Sequence, residues 1–221
     1  MELKCALCGV QACCEEPGTR AYPDFCPMAV EHVPLDTSAL QEARKAYEDE
    51  ETRKLALAAA RTEADRYPLE PRLEEVMSFA RRIGARRLGI ASCVGLIREA
   101  RMLQEILEAN GFQVESVCCK VGSIPKEEIG LTDEEKIHPG QFEALCSPIG
   151  QAKLLNEAET DLNIVVGLCV GHDSLFFRHS EAPVTVLVAK DRVTGHNPAA
   201  VLYTSHSYYQ RLKKGRPTRE T

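Results

Sequence analysis

Apolar positions along this 221-residue chain change their spacing twice, and each change predicts a different kind of structure. Up to about Val33 they follow no sustained period and are interrupted by turn formers, so this stretch can build little core of its own. From Asp36 to Tyr67 there is neither Pro nor Gly, charges of both signs alternate, and Leu40, Ala43, Leu55, Ala59 and Ala60 are sparse apolar points. That pattern predicts one long exposed helix or two shorter ones, with Asp36, Thr37 or Ser38 as the cap. After Pro68 and Pro71, Leu73 to Ile83 predicts another helix, closed by Gly84 at the position where a left-handed residue ends a helix.

Beyond Gly84 the pattern alternates between short apolar runs and amphipathic stretches. Arg87 to Ser92 predicts a strand. The next segment puts Leu96, Ala100, Leu103 and Leu107 on one face and Arg98, Glu99, Arg101, Glu105 and Glu108 on the other, a helix stopped by Asn110-Gly111. Further strands are expected at Phe112 to Val117, Leu162 to Leu168 and Val184 to Ala189, with helices from Pro148, after His172 and from Pro198. Apolar strands separated by helices imply right-handed βαβ units and a mostly parallel sheet. The expected fold is therefore α/β, a flavodoxin- or Rossmann-like sheet of order 2-1-3-4. The domains expected are a cysteine-rich module at 1–33, a helical connector at 34–84 and the parallel α/β domain at 85–221. Gly122 to Glu143 has no period and reads as a long connection of the kind that often serves as a lid.

Charge narrows the function classes. A net charge of -6 argues against nonspecific nucleic-acid binding. The basic tail (Arg211, Lys213, Lys214, Arg216 and Arg219) reads as a solvated end. No run approaches the ~18 apolar residues a membrane span requires, and Met1-Glu2-Leu3-Lys4 leads directly into cysteines, so a cytoplasmic protein is expected. Its expected partner is a redox protein or a small molecule.

Ten cysteines in such a chain point to metal or thiol chemistry, because a reducing compartment disfavours structural disulfides. Cys5 and Cys8 form a C-x-x-C pair followed by Gly9, Cys13 and Cys14 follow, and Cys26-Pro27 closes the group. A tight turn between thiolates two residues apart points both sulfurs at one ion. The knuckle suits zinc, whereas a terminal Cys-Pro suits an iron–sulfur cluster, for which 4Fe–4S is the favoured form. The expected ligands are Cys5, Cys8, Cys13 and Cys26, with Cys14 as the alternative to Cys13.

The remaining cysteines fall where predicted strands end or helices begin. Cys93 follows the first strand, Cys118 and Cys119 the second and Cys169 the third, while Cys146 precedes Ser147-Pro148, a helix start. Cys93-Val94-Gly95 and Cys169-Val170-Gly171 repeat one another on strands expected to be neighbours. Their thiols should meet at the topological switch point, where open α/β sheets bind ligands. Cys93, Cys119 with Cys118 as its alternative, Cys146 and Cys169 are thus candidates for a second metal or thiol site, although packing of buried cysteines explains the same positions. His172, Asp173 and Lys190 accumulate at this edge as candidate catalytic groups. Asp173 also reads as a helix cap, and Lys190 with Arg192 as an anion site or as surface charge. Gly-rich phosphate loops are absent from the sequence.

The ordered series CALCG, CP, ASCVGL, CCKVGSIPKEEIG, CSPIGQAKLLN, GLCVGHDSLF, APVTVLVAKDRVTGHNP and LYTSHSYY resembles the prokaryotic family called domain of unknown function 1847. The resemblance runs from Lys4 to about Leu212 around a variable helical middle. It implies metal binding, matching Cys5, Cys8, Cys13 and Cys26 to one cysteine set and Cys93, Cys119, Cys146 and Cys169 to the other. Cys14 and Cys118 depart from the pattern. Two functions follow: an iron–sulfur protein doing redox or sulfur-handling chemistry, or a non-catalytic zinc-stabilised module that binds a small molecule or partner as a sensor.

Overall fold

The computed structural model describes residues 3–29 and 38–215. The expected caps Asp36 and Thr37 and the tail residues Arg216 and Arg219 lie outside the described residues. The chain divides into two compact units, Met1–Arg61 and Thr62–Thr221. In the first, single 3-10 turns at Cys5–Leu7 and Ala12–Cys14 are followed by helices α1 (Ser38–Ala46) and α2 (Glu50–Arg66), the latter crossing the unit boundary. Two helices rather than one form here. Thr52 N–H donates to Asp49 Oδ2 at 2.8 Å, starting α2 afresh.

In the second unit, helix α3 (Arg72–Ile83) ends at Gly84, whose φ of 81° is the left-handed geometry that only glycine adopts cheaply. Strands β1 (Arg87–Ser92), β2 (Gln113–Cys118), β3 (Leu162–Val166) and β4 (Val184–Val188) alternate with helices α4 (Ile97–Ala109), α5 (Pro148–Glu157) and α6 (His172–His179); α7 (Ala199–Tyr203) follows. All strands pair in parallel in the order β2-β1-β3-β4. Ile90 of β1 stands opposite Ser116 of β2 and Ile164 of β3.

The burial of each strand follows from its place. Central β3 is buried at every position and β1 at all but its first, while edge strand β2 exposes Gln113, Glu115 and Ser116. Continuous apolar runs are what central parallel strands need, because helices cover both faces. Full burial of Leu88, Ile90, Leu162 and Ile164 contributes about 1.5–3 kcal/mol each. One polar residue interrupts β3. Asn163, fully buried, accepts from Thr160 Oγ1 at 2.9 Å and donates to Ser180 Oγ at 2.8 Å, so its amide is satisfied. Gly89 makes room for it: a Cβ on residue 89 would lie 1.9 Å from Asn163 Oδ1.

The helices pack by the faces the sequence marks. Helix α4 buries Ala100, Leu103 and Leu107, and α5 buries Gln151, Ala152 and Leu155. Arg72 of α3 donates from Nε to the Val186 carbonyl at 2.7 Å, tying that helix to edge strand β4. Among the described residues no helix is long and apolar enough to cross a membrane.

Candidate functional site

Hydrogen bonding continues past the C-terminal ends of the strands and fixes the cysteine loops there. Cys93 N–H donates to the Val166 carbonyl at 3.0 Å, Cys119 N–H to Ser92 at 2.8 Å, and Ser147 N–H to the Cys119 carbonyl at 2.7 Å. The buried Gln151 amide spans the strand ends, donating from Nε2 to the carbonyls of Ser92 at 3.1 Å and Val117 at 2.7 Å. After β3 the chain turns at Gly167, with φ 67°, and passes so close to Leu96 that a Cβ would lie 1.9 Å from Leu96 Cδ1. This close passage carries the loop of Cys169 toward that of Cys93.

The result is a cavity of about 710 Å³ with two unlike walls. The sheet edge contributes Cys93, Cys119, Cys146, Cys169, His172 and Arg192. The segment between β2 and α5 contributes an apolar wall of Ile129, Leu131, Ile137, Phe142 and Leu145. Ile129, Ile137 and Phe142 are 66%, 77% and 65% exposed, so this apolar wall is open to solvent. The segment nevertheless has a scaffold of its own. Pro125 and Ala144 form an antiparallel bridge, and Lys126 pairs with Glu143 beside it. Buried Lys136 donates to Asp133 at 2.6 Å, to Glu127 at 2.7 Å and to the Gln141 carbonyl at 2.7 Å, so its ammonium is fully partnered.

Three cations are directed at three sulfurs. Lys120 Nζ donates to Cys146 Sγ at 3.3 Å and also to the Ala144 carbonyl. Lys190 Nζ donates to Cys93 Sγ at 3.4 Å, and Arg192 Nη2 to Cys169 Sγ at 3.0 Å. The fourth sulfur, Cys119 Sγ, accepts from the Val94 peptide N–H at 3.3 Å. Cys119 and Cys146 line the same cavity and are tied by the Ser147 N–H bond to the Cys119 carbonyl, and their thiols shift in opposite directions. The neighbouring Cys119, with the charge and hydrogen bond of Lys120 and the nearby His172, lowers the Cys146 thiol to about 5 against the opposing effect of burial. Cys146, followed by burial, pushes Cys119 far above the usual thiol range. One thiolate and one thiol therefore stand side by side, and the Cys169 sulfur in turn raises the Arg192 guanidinium.

The remaining candidates distribute as follows. His172 lines the cavity, and Lys190 reaches it through Cys93. Asp173 lies in the first turn of α6, whose N-cap is Gly171, and its carboxylate accepts the N–H groups of Gly171 at 3.0 Å and Ser174 at 2.8 Å. Cys118 opens instead onto a separate cavity of about 440 Å³ with Arg101, Gln104 and Glu105. At the N-terminus, Cys8 Sγ accepts the Gln11 N–H and Cys26 Sγ the Met28 N–H, each at 3.4 Å. Peptide N–H donation, from Gln11 and then Val10, lowers the Cys8 thiol. Loss of hydration and then neighbouring Cys14 raise Cys13. Among the described residues no three His, Cys, Asp or Glu side chains come close enough together to hold one metal ion.

Sequence reasoning marked the cysteines, Lys190 and Arg192 but missed how they divide. It also missed the Lys126–Glu143 pair and the bridging role of Lys136, which carry no local signal.

Comparison with known proteins gives a family and no activity. An uncharacterized protein of Methanocaldococcus jannaschii is 46% identical over 170 residues, covering 77% of this chain and 86% of the relative. No solved structure matches. The family model described as Protein of unknown function (DUF1847) matches residues 32–187, a span that includes Cys93, Cys118, Cys119, Cys146 and Cys169, and the chain belongs to that family.

Proposed function

We propose that this protein is a metal-stabilised thiol protein of a reducing compartment, the cytoplasm, whose working site is the strand-end cavity and whose nucleophile is the Cys146 thiolate, serving redox or sulfur-handling chemistry. The observation that carries the reading is the placing of Cys146 between Lys120, which donates to its sulfur, and the buried Cys119, in the lining of a cavity large enough for a small molecule. Cations hydrogen-bonded to three of the four sulfurs oppose a bare divalent ion, which favours thiol chemistry over a second metal here. The N-terminal set Cys5, Cys8, Cys13 and Cys26 is the metal-holding group in this reading. Its donors are all sulfur and peptide N–H groups already donate to Cys8 and Cys26, which supports an iron–sulfur cluster, with zinc as the alternative; the sulfurs do not converge on one point here, so the segment has to close around the metal. A cluster supplies one-electron chemistry; zinc supplies folding free energy.

Cys146 reactivity is the test. Only the thiolate is alkylated, so a thiol lowered to about 5 reacts at a rate that climbs through that pH and is flat at neutrality. Ordinary cysteines still gain rate up to about pH 8.5. Brief iodoacetamide pulses on the reduced full-length protein, read by peptide mass spectrometry, are expected to show the early midpoint at Cys146. A midpoint shared with the exposed cysteines rules the nucleophile out. Anaerobic purification with metal and acid-labile sulfide analysis separates cluster from zinc.

A further inference from the structure

We propose that Cys146 and Cys119 are the attacking and resolving thiols of a two-cysteine centre that reduces small organic disulfides bearing an anionic group on an apolar body. The inference rests on the reading of Cys146 as nucleophile and adds a second residue, a reaction and a substrate class.

Geometry supplies the pair. Cys119 follows β2 and is 3% exposed, while Cys146 is partly exposed and opens on the cavity. The bond from Ser147 N–H to the Cys119 carbonyl holds the two residues against each other across the base of the connection between β2 and α5. An accessible sulfur and a buried one, on residues tied together by a backbone hydrogen bond and lining one cavity, is the arrangement that sequential disulfide exchange needs.

The step balances without a further reagent. Cys146–S⁻ attacks one sulfur of R–S–S–R, forming a Cys146–S–S–R bond and expelling R–S⁻. Cys119 then loses the neighbouring anion that kept it protonated, because the Cys146 sulfur is now part of a disulfide. The proton passes to the expelled R–S⁻, and the Val94 N–H is already in place to support the new Cys119 thiolate. Cys119–S⁻ attacks Cys146 Sγ, the Cys119–Cys146 bond forms, and the second R–S⁻ leaves. The two cysteines are oxidised by two electrons and the substrate is reduced to two thiols.

The walls define the substrate. Lys120, Lys190 and Arg192 surround the sulfurs, whereas Glu143, the carboxylate of the cavity lining, is paired with Lys126. A ligand anion gains from that imbalance and a cation does not. Opposite the sulfurs, exposed Ile129, Ile137 and Phe142 offer apolar contact to the rest of the molecule.

The probe is 5,5′-dithiobis(2-nitrobenzoate), an aromatic dianionic disulfide, mixed with an equimolar amount of anaerobic, reduced full-length protein; the cationic disulfide cystamine is the control. With the aromatic probe the expected product is protein that has lost two hydrogens and carries no adduct, with a peptide map joining Cys119 to Cys146. Two thionitrobenzoate ions are released per chain. Cys119→Ser is expected to stop after one, leaving a stable adduct on Cys146. Each rate is divided by that of the same disulfide with free N-acetylcysteine, which removes the difference between the leaving groups, and on that scale cystamine is expected to react with Cys146 at least about tenfold more slowly. The wild-type map stands even if the variant does not fold. An adduct that persists in wild type, a disulfide joining Cys146 to another cysteine, or equal rates for the two probes overturns the proposal. If iodoacetamide still finds Cys146 reactive at low pH in that case, the nucleophile survives and only the two-cysteine reaction is lost.

Discussion

Lys120 shows how one side chain sets the chemistry of its neighbour. Its ammonium is held between the Ala144 carbonyl and Cys146 Sγ, so its charge sits on the sulfur rather than in solvent. Lys120→Met keeps the aliphatic stem and removes both the charge and the donor. The alkylation midpoint of Cys146 is expected to rise by about one pH unit or more, with the far-ultraviolet spectrum unchanged. A midpoint that stays put assigns the lowered thiol to Cys119 alone. The sequence places Lys120 directly after a cysteine pair, which marks the position as chemical. It does not say that Lys120 serves Cys146, because that bond joins residues brought together only by the fold. Asp173 illustrates the opposite limit: a carboxylate at a helix start reads equally as acid, base or cap, and in the fold it sits inside the first turn of α6, behind the N-cap Gly171, with its carboxylate bonded to the Gly171 and Ser174 N–H groups.

Elements differ in how much of them a hydrophobic pattern can reveal. Strands β1 and β3 and helices α3 and α4 follow their periods closely, because burial of a strand or helix face is what creates those periods. Strand β2 begins and ends one residue later than the pattern suggests, which leaves Cys118 as its last residue. The connection between β2 and α5 shows no period because its order comes from Lys136, Lys126 and their carboxylates rather than from an apolar face. Among residues 3–29 the balance tips further from the core: Ala12 alone is fully buried. Ordering costs about 1–2 kcal/mol per residue, which so little burial does not offset. Residues 3–29 are therefore expected to depend on bound metal, and chelation to open them to limited proteolysis while residues 87–188 stay protected. Equal protection with and without chelator counts against a metal centre in this segment.

At the scale of the molecule, every residue that lines the larger cavity belongs to the unit Thr62–Thr221. A fragment starting at Thr62 is accordingly expected to fold with the sheet intact and to show the same early alkylation of Cys146 as the full chain. Loss of that reactivity in a folded fragment makes the cavity dependent on the first unit. The sheet order was legible because right-handed crossovers and two strongly apolar strands leave few arrangements of four parallel strands. The division of the strand-end sulfurs into one thiolate and one thiol was not, since it depends on contacts of a few ångströms.

The central position of β1 also governs how the chain matures during synthesis. Ile90 finds Ser116 soon after both have been made, but its other neighbour, Ile164, arrives only after the β2–α5 connection and α5 have been added. Until then the β1-α4-β2 half presents an unsatisfied, strongly apolar edge, the feature most prone to pair with another chain. A ribosome that pauses between Gly122 and Asp161 prolongs that vulnerable interval, and a nascent chain stalled there is a natural client for a chaperone.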